Sequence, residues 1–417
     1  MKLGIPGRTV KLGVIGLGCR GEEQLKVLLS MEDVQIPIVC DVYADRVEKA
    51  QKMIEEKRGV RPLGTTDYHE VNTHPEVEAV IIMTSWQTHI EIACDAMKHG
   101  KIPGSEVGGA SSIDECWKLV RTCEQTGVPM MLLENCCYND VEMALLRMIR
   151  EGLFGEVVHC KGGYRHDLRD EVGEGDINRH YRQDHFMNRN GELYPTHELG
   201  PIAEYLNLNR GNRMLSLVSM ASKAVGEHAW LTENRADAPA LQQAAFTQGD
   251  VVTTLIKCAH GETIVLTHDC TLPRPYSRDG SVQGTKGLWE EEGHQIYLEA
   301  TAEKKHHWDP DKATLEQYEH PLWKEYREFG LRGGHGGMDY LVLRAFIESI
   351  QNNRPFPIDV YDAASWMAVT CLSEQSIAMG SMPVPVPDFT DGRWLKPAKR
   401  EGDMYSLDEV CWDAFKE

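Results

Sequence analysis

The chain has 417 residues and a formal net charge of −20, with 41% apolar and 26% charged residues. That length accommodates two or three domains, the composition is that of a globular protein, and the acidic balance excludes nucleic acid and anionic membrane as general partners. The N-terminal stretch has no apolar leader, no run approaches a membrane span, and the twelve cysteines include no C-x-x-C pair, so the expectation is a cytoplasmic protein with reduced thiols and no metal.

In chain order, Val10 to Ile15 reads as a strand that stops on Gly16-Leu17-Gly18-Cys19-Arg20-Gly21, and a helical pattern follows from Glu22. Glycines at these three positions serve a tight turn, close approach of backbone to a pyrophosphate, and close helix–strand packing. The helix start adds free N–H groups and a positive dipole end. The next apolar run, Val34 to Cys40, ends on Asp41, twenty residues after Gly21. A carboxylate there accepts both ribose hydroxyls of an adenosine and repels a 2′-phosphate, which points to NAD rather than NADP.

A charged helix is expected from Tyr43 to Lys57. Val77 to Met83 is near-continuously apolar, as in a strand buried on both faces. It ends before Trp86-Gln87-Thr88-His89, which open a helix at the carboxyl end of a strand, where ligands of open α/β sheets bind. A short strand, Lys101 to Glu106, is followed by Val107-Gly108-Gly109. Ser112 and Glu115 form a capping box for a helix running to about Thr126. Val128 to Glu134 reads as a further strand, closing on Asn135. Strands alternating with helices make this a doubly wound parallel sheet.

Asn139 and Glu142 cap a helix that stops at Gly152. The rhythm then changes to strands at Glu156–Gly163, Met214–Met220, Val251–Cys258 and Glu262–Thr271, as in a mostly antiparallel sheet with one open face. Tyr164 to Glu198 is a long polar stretch rich in His, Arg and Tyr, expected to be a functional loop. Met338–Asn352 and Ala363–Met379 read as helices, and the Pro-rich, then charged C-terminus is expected to wrap the surface. His306-His307 is a surface pair rather than a metal site. The expected organisation is a Rossmann domain at 1–135, an α/β domain with the antiparallel sheet at 136–390, and a tail at 391–417. An open sheet face calls for cover by a second subunit, so a homo-oligomer, a dimer or tetramer, is expected.

The glycine motif, Glu106 after the fifth strand and a second-domain His preceded by a long loop resemble the Gfo/Idh/MocA superfamily of nicotinamide-dependent sugar enzymes. Many of its dehydrogenases read Glu-Lys-Pro after that strand. Here the triplet is Glu106-Val107-Gly108, without the ammonium that helps move a hydroxyl proton. A narrower set is similar to glycoside hydrolase family 109, NAD-dependent α-N-acetylgalactosaminidases: Trp86-x-x-His89, Glu106-Val107, Asn135 in ENCCY, Tyr164 in GGYRHD, Arg182, Tyr194-Pro195-Thr196-His197, and Tyr276 in PRPYSR. The resemblance implies that Gly16, Gly18, Cys19, Arg20, Gly21, Asp41, Trp86 to His89, Glu106, Val107 and Asn135 bind NAD. It implies that Tyr164, Arg182, Tyr194 to His197 and Tyr276 bind a glycoside.

The implied reaction is redox-neutral hydrolysis: oxidation at C3 of the sugar, loss of the C2 proton, elimination of the anomeric substituent, addition of water, and re-reduction. Glycosidases of this kind stand outside the two-carboxylate scheme. His197 is the candidate base at the C3 hydroxyl, since imidazole titrates near neutrality. Tyr164, Tyr194 and Tyr276 are candidates for the C2 base or the leaving-group acid, without a ranking among them. Arg182 supplies donors to hydroxyl or acyl oxygens. The competing expectations are an NAD-dependent sugar dehydrogenase and a non-catalytic NAD-binding regulator.

Overall fold

The computed structural model describes residue 3, residues 7–330 and residues 333–416. Part of the N-terminal stretch on which the leader expectation rests, and the last residue of the expected tail, lie outside the described residues. The chain divides into two compact units: 1–150 with 318–364 and 398–417, and 151–317 with 365–397.

The first unit holds strands β1 (Val10–Ile15), β2 (Val34–Cys40), β3 (Leu63–Thr65), β4 (Ala79–Ile82), β5 (Ile102–Ser105) and β6 (Met131–Leu132). They pair in parallel in the order β3-β2-β1-β4-β5-β6. All four residues of β4 are buried, as its continuous apolar run required. The order reverses between β1 and β4, and crevices at such switch points receive ligands.

Local signals act as read. Ser112 Oγ accepts from the Glu115 N–H at 3.2 Å, and the Glu115 carboxylate accepts from the Ser111 N–H at 3.0 Å. The helix Ile113–Thr126 then stops on Gly127 in the left-handed region. Asn139 Oδ1 accepts from the Val141 N–H at 3.0 Å to start Asp140–Arg150. The run Val128–Glu134 yields only the two-residue β6, because Pro129 has no N–H to donate and β6 pairs only with β5. The C-terminal stretch does more than wrap: Met404, Tyr405 and Leu407 are buried, and the Tyr138 hydroxyl donates to the Tyr405 carbonyl at 2.9 Å.

The second unit holds β7 (Val157–Arg165), β8 (Met214–Ala221), β9 (Val251–Cys258), β10 (Thr263–Asp269), β11 (Ser281–Gly284), β12 (Gly287–Glu290), β13 (Gln295–Leu298), β14 (Asp309–Pro310) and β15 (Val384–Pro385). They form one sheet in the order β14-β13-β12-β11-β7-β10-β9-β8-β15, in which only β7 and β10 run parallel. Burial alternates strictly along Val252–Cys258 in β9, so one face is packed and the other open. The helix Thr196–Tyr205 lies on the packed face against β7. A Cβ at Gly162 would fall 1.6 Å from Glu198 Cγ, so the helix seats only over a glycine. Tyr164 to Glu198 is not the expected loop. It contains the helices Arg169–Gly173, Gly175–Asn178 and Arg182–Asn188, each too short to display a 3.6-residue stripe.

Candidate functional site

Two groups of side chains gather the candidate residues, one in each unit. In the first, Gly16 follows β1 with φ +95°, and a Cβ there would meet the Met83 carbonyl at 2.4 Å. A Cβ on Gly21 would meet the Gly16 carbonyl oxygen at 2.2 Å. The first and third glycines are thus forced by packing. A Cβ on Gly18 would meet only the Arg46 guanidinium, from 3.3 Å outward. The space above the middle glycine is a cradle that a side chain would fill and a pyrophosphate can enter. Gly18 is also the N-cap of the helix Cys19–Leu28 and offers no side-chain cap, so the first-turn N–H groups face that space.

Asp41 directly follows β2 and is buried. Its carboxylate accepts from the Leu17 N–H at 2.7 Å and the Tyr43 N–H at 2.9 Å, which pins it to the glycine loop and leaves each oxygen a further lone pair. Trp86 is buried in the first turn of Trp86–Lys98, while Gln87 is exposed. A Cβ on Gly108 would fall 2.4 Å from the indole, so the residue standing where the dehydrogenases carry proline, directly after the lysine position held here by Val107, must be glycine for Trp86 to fit. Thr88 Oγ1 donates back to the Ser85 carbonyl at 2.9 Å. His89 is fully buried, which pulls it down to about 4 and keeps it neutral. Its Nε2 lies 2.9 Å from the Thr84 carbonyl and must therefore carry the proton, so Nδ1 is an acceptor, buried and without a partner.

Glu106 accepts from Arg20 Nε at 2.8 Å, from Gln24 at 3.2 Å and from the Val107 N–H at 3.1 Å. Asn135 donates to Asp339 at 2.8 Å, and its own Oδ1 is a second buried acceptor with no partner. Two orphaned acceptors and an open glycine cradle suit a cofactor that brings phosphates, hydroxyls and an amide N–H.

In the second unit, Tyr164 on β7 is the hub. Its ring centroid lies 4.5 Å from Tyr194, 5.6 Å from His197, 5.7 Å from His166 and 6.4 Å from Tyr276. Tyr194 and His197 stand 4.7 Å apart at the start of Thr196–Tyr205, and His166 and Tyr276 stand 5.0 Å apart. The Arg182 guanidinium lies over Tyr194 at 5.2 Å and Tyr164 at 5.8 Å, and its Nη1 donates to Glu171 at 2.6 Å. Every second-domain residue expected to bind a glycoside falls in or beside this cluster. Pro195 and Thr196 are buried in its backbone turn, and Tyr276, 51% exposed, stands at its rim.

Burial raises the Tyr164 phenol to about 12, against the opposing pull of Arg182. Burial, then Arg182, holds His166 below the usual imidazole range, so it is neutral at pH 7. The Tyr164 hydroxyl lies 3.1 Å from His166 Nδ1, at hydrogen-bonding distance. Burial opposes the Glu171 charge, but Arg182 and His180 outweigh it and hold the carboxylate ionised.

The sequence matches the family described as glycosyl hydrolase 109, C-terminal domain, over residues 138–396, and the NAD-binding Rossmann fold of an oxidoreductase family over residues 10–133. An α-N-acetylgalactosaminidase of Tannerella forsythia is 40% identical over 410 residues, spanning 93% of this chain and 87% of its own. A glycosyl hydrolase family 109 protein of Stenotrophomonas maltophilia is 41% identical over 414 residues, spanning 93% and 90%. The chain belongs to glycosyl hydrolase family 109. It is a glycosidase carrying an NAD-binding Rossmann domain, as the sequence pattern led one to expect.

Solved structures resemble this family 109 chain at the level of fold. A levoglucosan dehydrogenase complex with NADH and levoglucosan superposes with a TM-score of 0.69 at 16% identity, covering 91% of this chain and all of the other. A Lactobacillus casei scyllo-inositol dehydrogenase with NAD(H) and scyllo-inositol gives 0.62 at 14% identity, covering 91% and 99%. No helix among the described residues is long and apolar enough to cross a membrane, and no disulfide joins the described cysteines.

Three polar residues of this family 109 chain escaped the sequence reading. His166 stands two residues beyond Tyr164, the spacing that returns a strand to the same face. Glu171 lies in a helix too short to announce itself. Asp339 follows the run Gly333-Gly334-His335-Gly336-Gly337, a cluster of glycines directly before a helix and thus a legible signal.

Proposed function

We propose that this chain is a redox-neutral α-N-acetylgalactosaminidase that uses NAD as a catalytic cofactor. The observation that carries the reading is the make-up of the second-unit cluster. Its reacting candidates are phenols and imidazoles, and the carboxylate joined to it, Glu171, is held ionised by Arg182 and has no proton to give. The chemistry NAD supplies when bound is reversible acceptance of hydride from C3 of the sugar. The residues suited to hold it are Gly16, Gly18, Cys19, Arg20, Gly21, Asp41, Trp86 to His89, Glu106, Val107 and Asn135.

On the substrate, His197 takes the proton of the C3 hydroxyl. The resulting C3 ketone acidifies C2–H, and one of Tyr164, Tyr194 and Tyr276 removes that proton while another protonates the departing anomeric oxygen. A phenol raised to about 12 is a base only if its own proton can leave, and His166 offers Tyr164 that exit. Arg182 donates to hydroxyl or acyl oxygens. Aryl glycosides test the reading, with phenol release and NADH followed together. Phenol from the α-N-acetylgalactosaminide without net NADH is expected, and accumulation of NADH from free sugars would assign a dehydrogenase instead.

A homo-oligomer, dimer or tetramer, goes with this reading. The open face of the second-unit sheet presents Met220 and Leu255, 66% and 44% exposed, on β8 and β9. Apolar side chains set in a flat sheet face are stabilised by a second copy of that face. A monomer by light scattering at micromolar concentration would overturn it.

A further inference from the structure

One carboxylate gathers the polar side chains of the first unit. Asp339, second residue of the helix Met338–Asn352, is fully buried. Its Oδ1 accepts from Arg20 Nη2 and from Asn135 Nδ2, each at 2.8 Å. Its Oδ2 accepts from Arg20 Nη1 and faces His335 Nδ1, each at 2.8 Å. A carboxylate can only accept, and that dictates how its neighbours stand. Asn135 must turn its NH₂ inward, so its amide oxygen is left as the buried acceptor without a partner. Both Nη atoms of Arg20 are gripped while its Nε holds Glu106. His335 Nδ1 must carry a proton, and the hydrogen bond to Asp339 raises that imidazole.

We propose that Asp339 is a positioning residue for NAD binding: it locks the Asn135 amide with its oxygen offered to an N–H or O–H donor of the cofactor, and it fixes the Arg20 side chain at the start of the helix that follows the glycine loop. This rests on the reading that Asn135 and Arg20 belong to the NAD site. An isosteric Asp339→Asn change keeps the volume, removes the charge, and frees Asn135 to flip. Arg20 then keeps its ion pair with Glu106.

The test is a titration of the full-length chain, freed of cofactor by dialysis, with NAD. Kd is measured for wild type, Asp339→Asn, Asn135→Ala and the double variant, and thermal melting without NAD is recorded for each. Asp339→Asn is expected to weaken NAD about ten- to hundredfold, the scale of hydrogen bonds to a charged partner. On the Asn135→Ala background the same change is expected to cost a clearly smaller factor, since part of its effect passes through that amide. Asp339→Glu, which keeps the charge, is expected to recover part of the affinity, and it serves where the Asn variant does not fold. Wild-type affinity in Asp339→Asn, or single losses that add fully in the double variant, overturns the proposal. Wild-type protein that binds NAD but cleaves no glycoside overturns the proposed function and leaves this inference standing; wild-type protein that binds no NAD overturns both.

Discussion

Glu192 sits two residues before Tyr194, fully buried, with neither carboxylate oxygen in a hydrogen bond. The backbone around it is pinned: the Gly191 N–H donates to Gln248 at 3.0 Å and the Glu192 N–H to Ser373 at 2.8 Å. The side chain therefore cannot swing to water. Burial pushes its acid up from 4.5 to about 8, and the nearby Tyr194 N–H offsets little of that. The folded chain keeps a proton that the unfolded chain gives up, so stability falls as pH rises from about 4.5 and levels off above about 8. Between pH 5 and 8 the loss is about 3 kcal/mol, at about 1.4 kcal/mol per pH unit for nearly one proton. Glu192→Gln copies the neutral acid and cannot ionise. Differential scanning calorimetry at half-unit pH steps should show the variant gaining on wild type as pH rises, by roughly 6–12 °C in Tm for a unit of this size. A constant offset from the missing acid proton is expected at every pH, so the decisive quantity is the difference in slope. Parallel melting curves from pH 5 to 8 would refute the reasoning.

Three further outcomes are expected. Asp41→Ala removes the carboxylate pinned to the glycine loop, so NAD binding should weaken and discrimination against NADP should shrink in fluorescence titrations; a wild type that prefers NADP would contradict the reading of Asp41. His197→Ala should retain NAD binding and lose about 10²- to 10⁴-fold in glycoside turnover, the range of general-base catalysis, and wild-type turnover in D₂O should leave deuterium at C2 of the released sugar by NMR, which direct displacement at the anomeric carbon would not. Gly108→Ala drives a methyl to 2.4 Å from the Trp86 indole, so calorimetry should show destabilisation of about 1–3 kcal/mol, the range for overpacking.

What the sequence disclosed follows the range of the interactions involved. The glycine loop, Asp41, the Ser112–Glu115 cap and the β9 alternation are written in residues a few positions apart, and each is found in place. The capping of Asp339 by Asn135 and Arg20 joins residues far apart in the chain, and no local pattern announces it. The pairing of Glu171 with Arg182 was hidden because helices of one or two turns carry no stripe. Pro129 shortened a strand that apolar content alone had extended. His166 was in plain view, since alternation along β7 carries the face of Tyr164 to it, but alternation alone does not tell a packed imidazole from one that meets a phenol at 3.1 Å.

The pairing of β7 has a consequence for when the ring cluster around Tyr164 comes into being. Tyr164 sits on a strand whose two neighbours, β10 and β11, begin at residues 263 and 281. During synthesis the strand therefore emerges more than a hundred residues before either partner exists, at the usual elongation rate of about 5–20 residues per second. The six strands of the first sheet are all translated by residue 132. The cofactor-type sheet can thus close while β7 is still an unpaired edge, and the ring cluster around Tyr164 is a late product of folding. Such an edge is exposed to misassembly in the interval, so folding yield, more than final stability, is where mutations in β10 and β11 will first be felt.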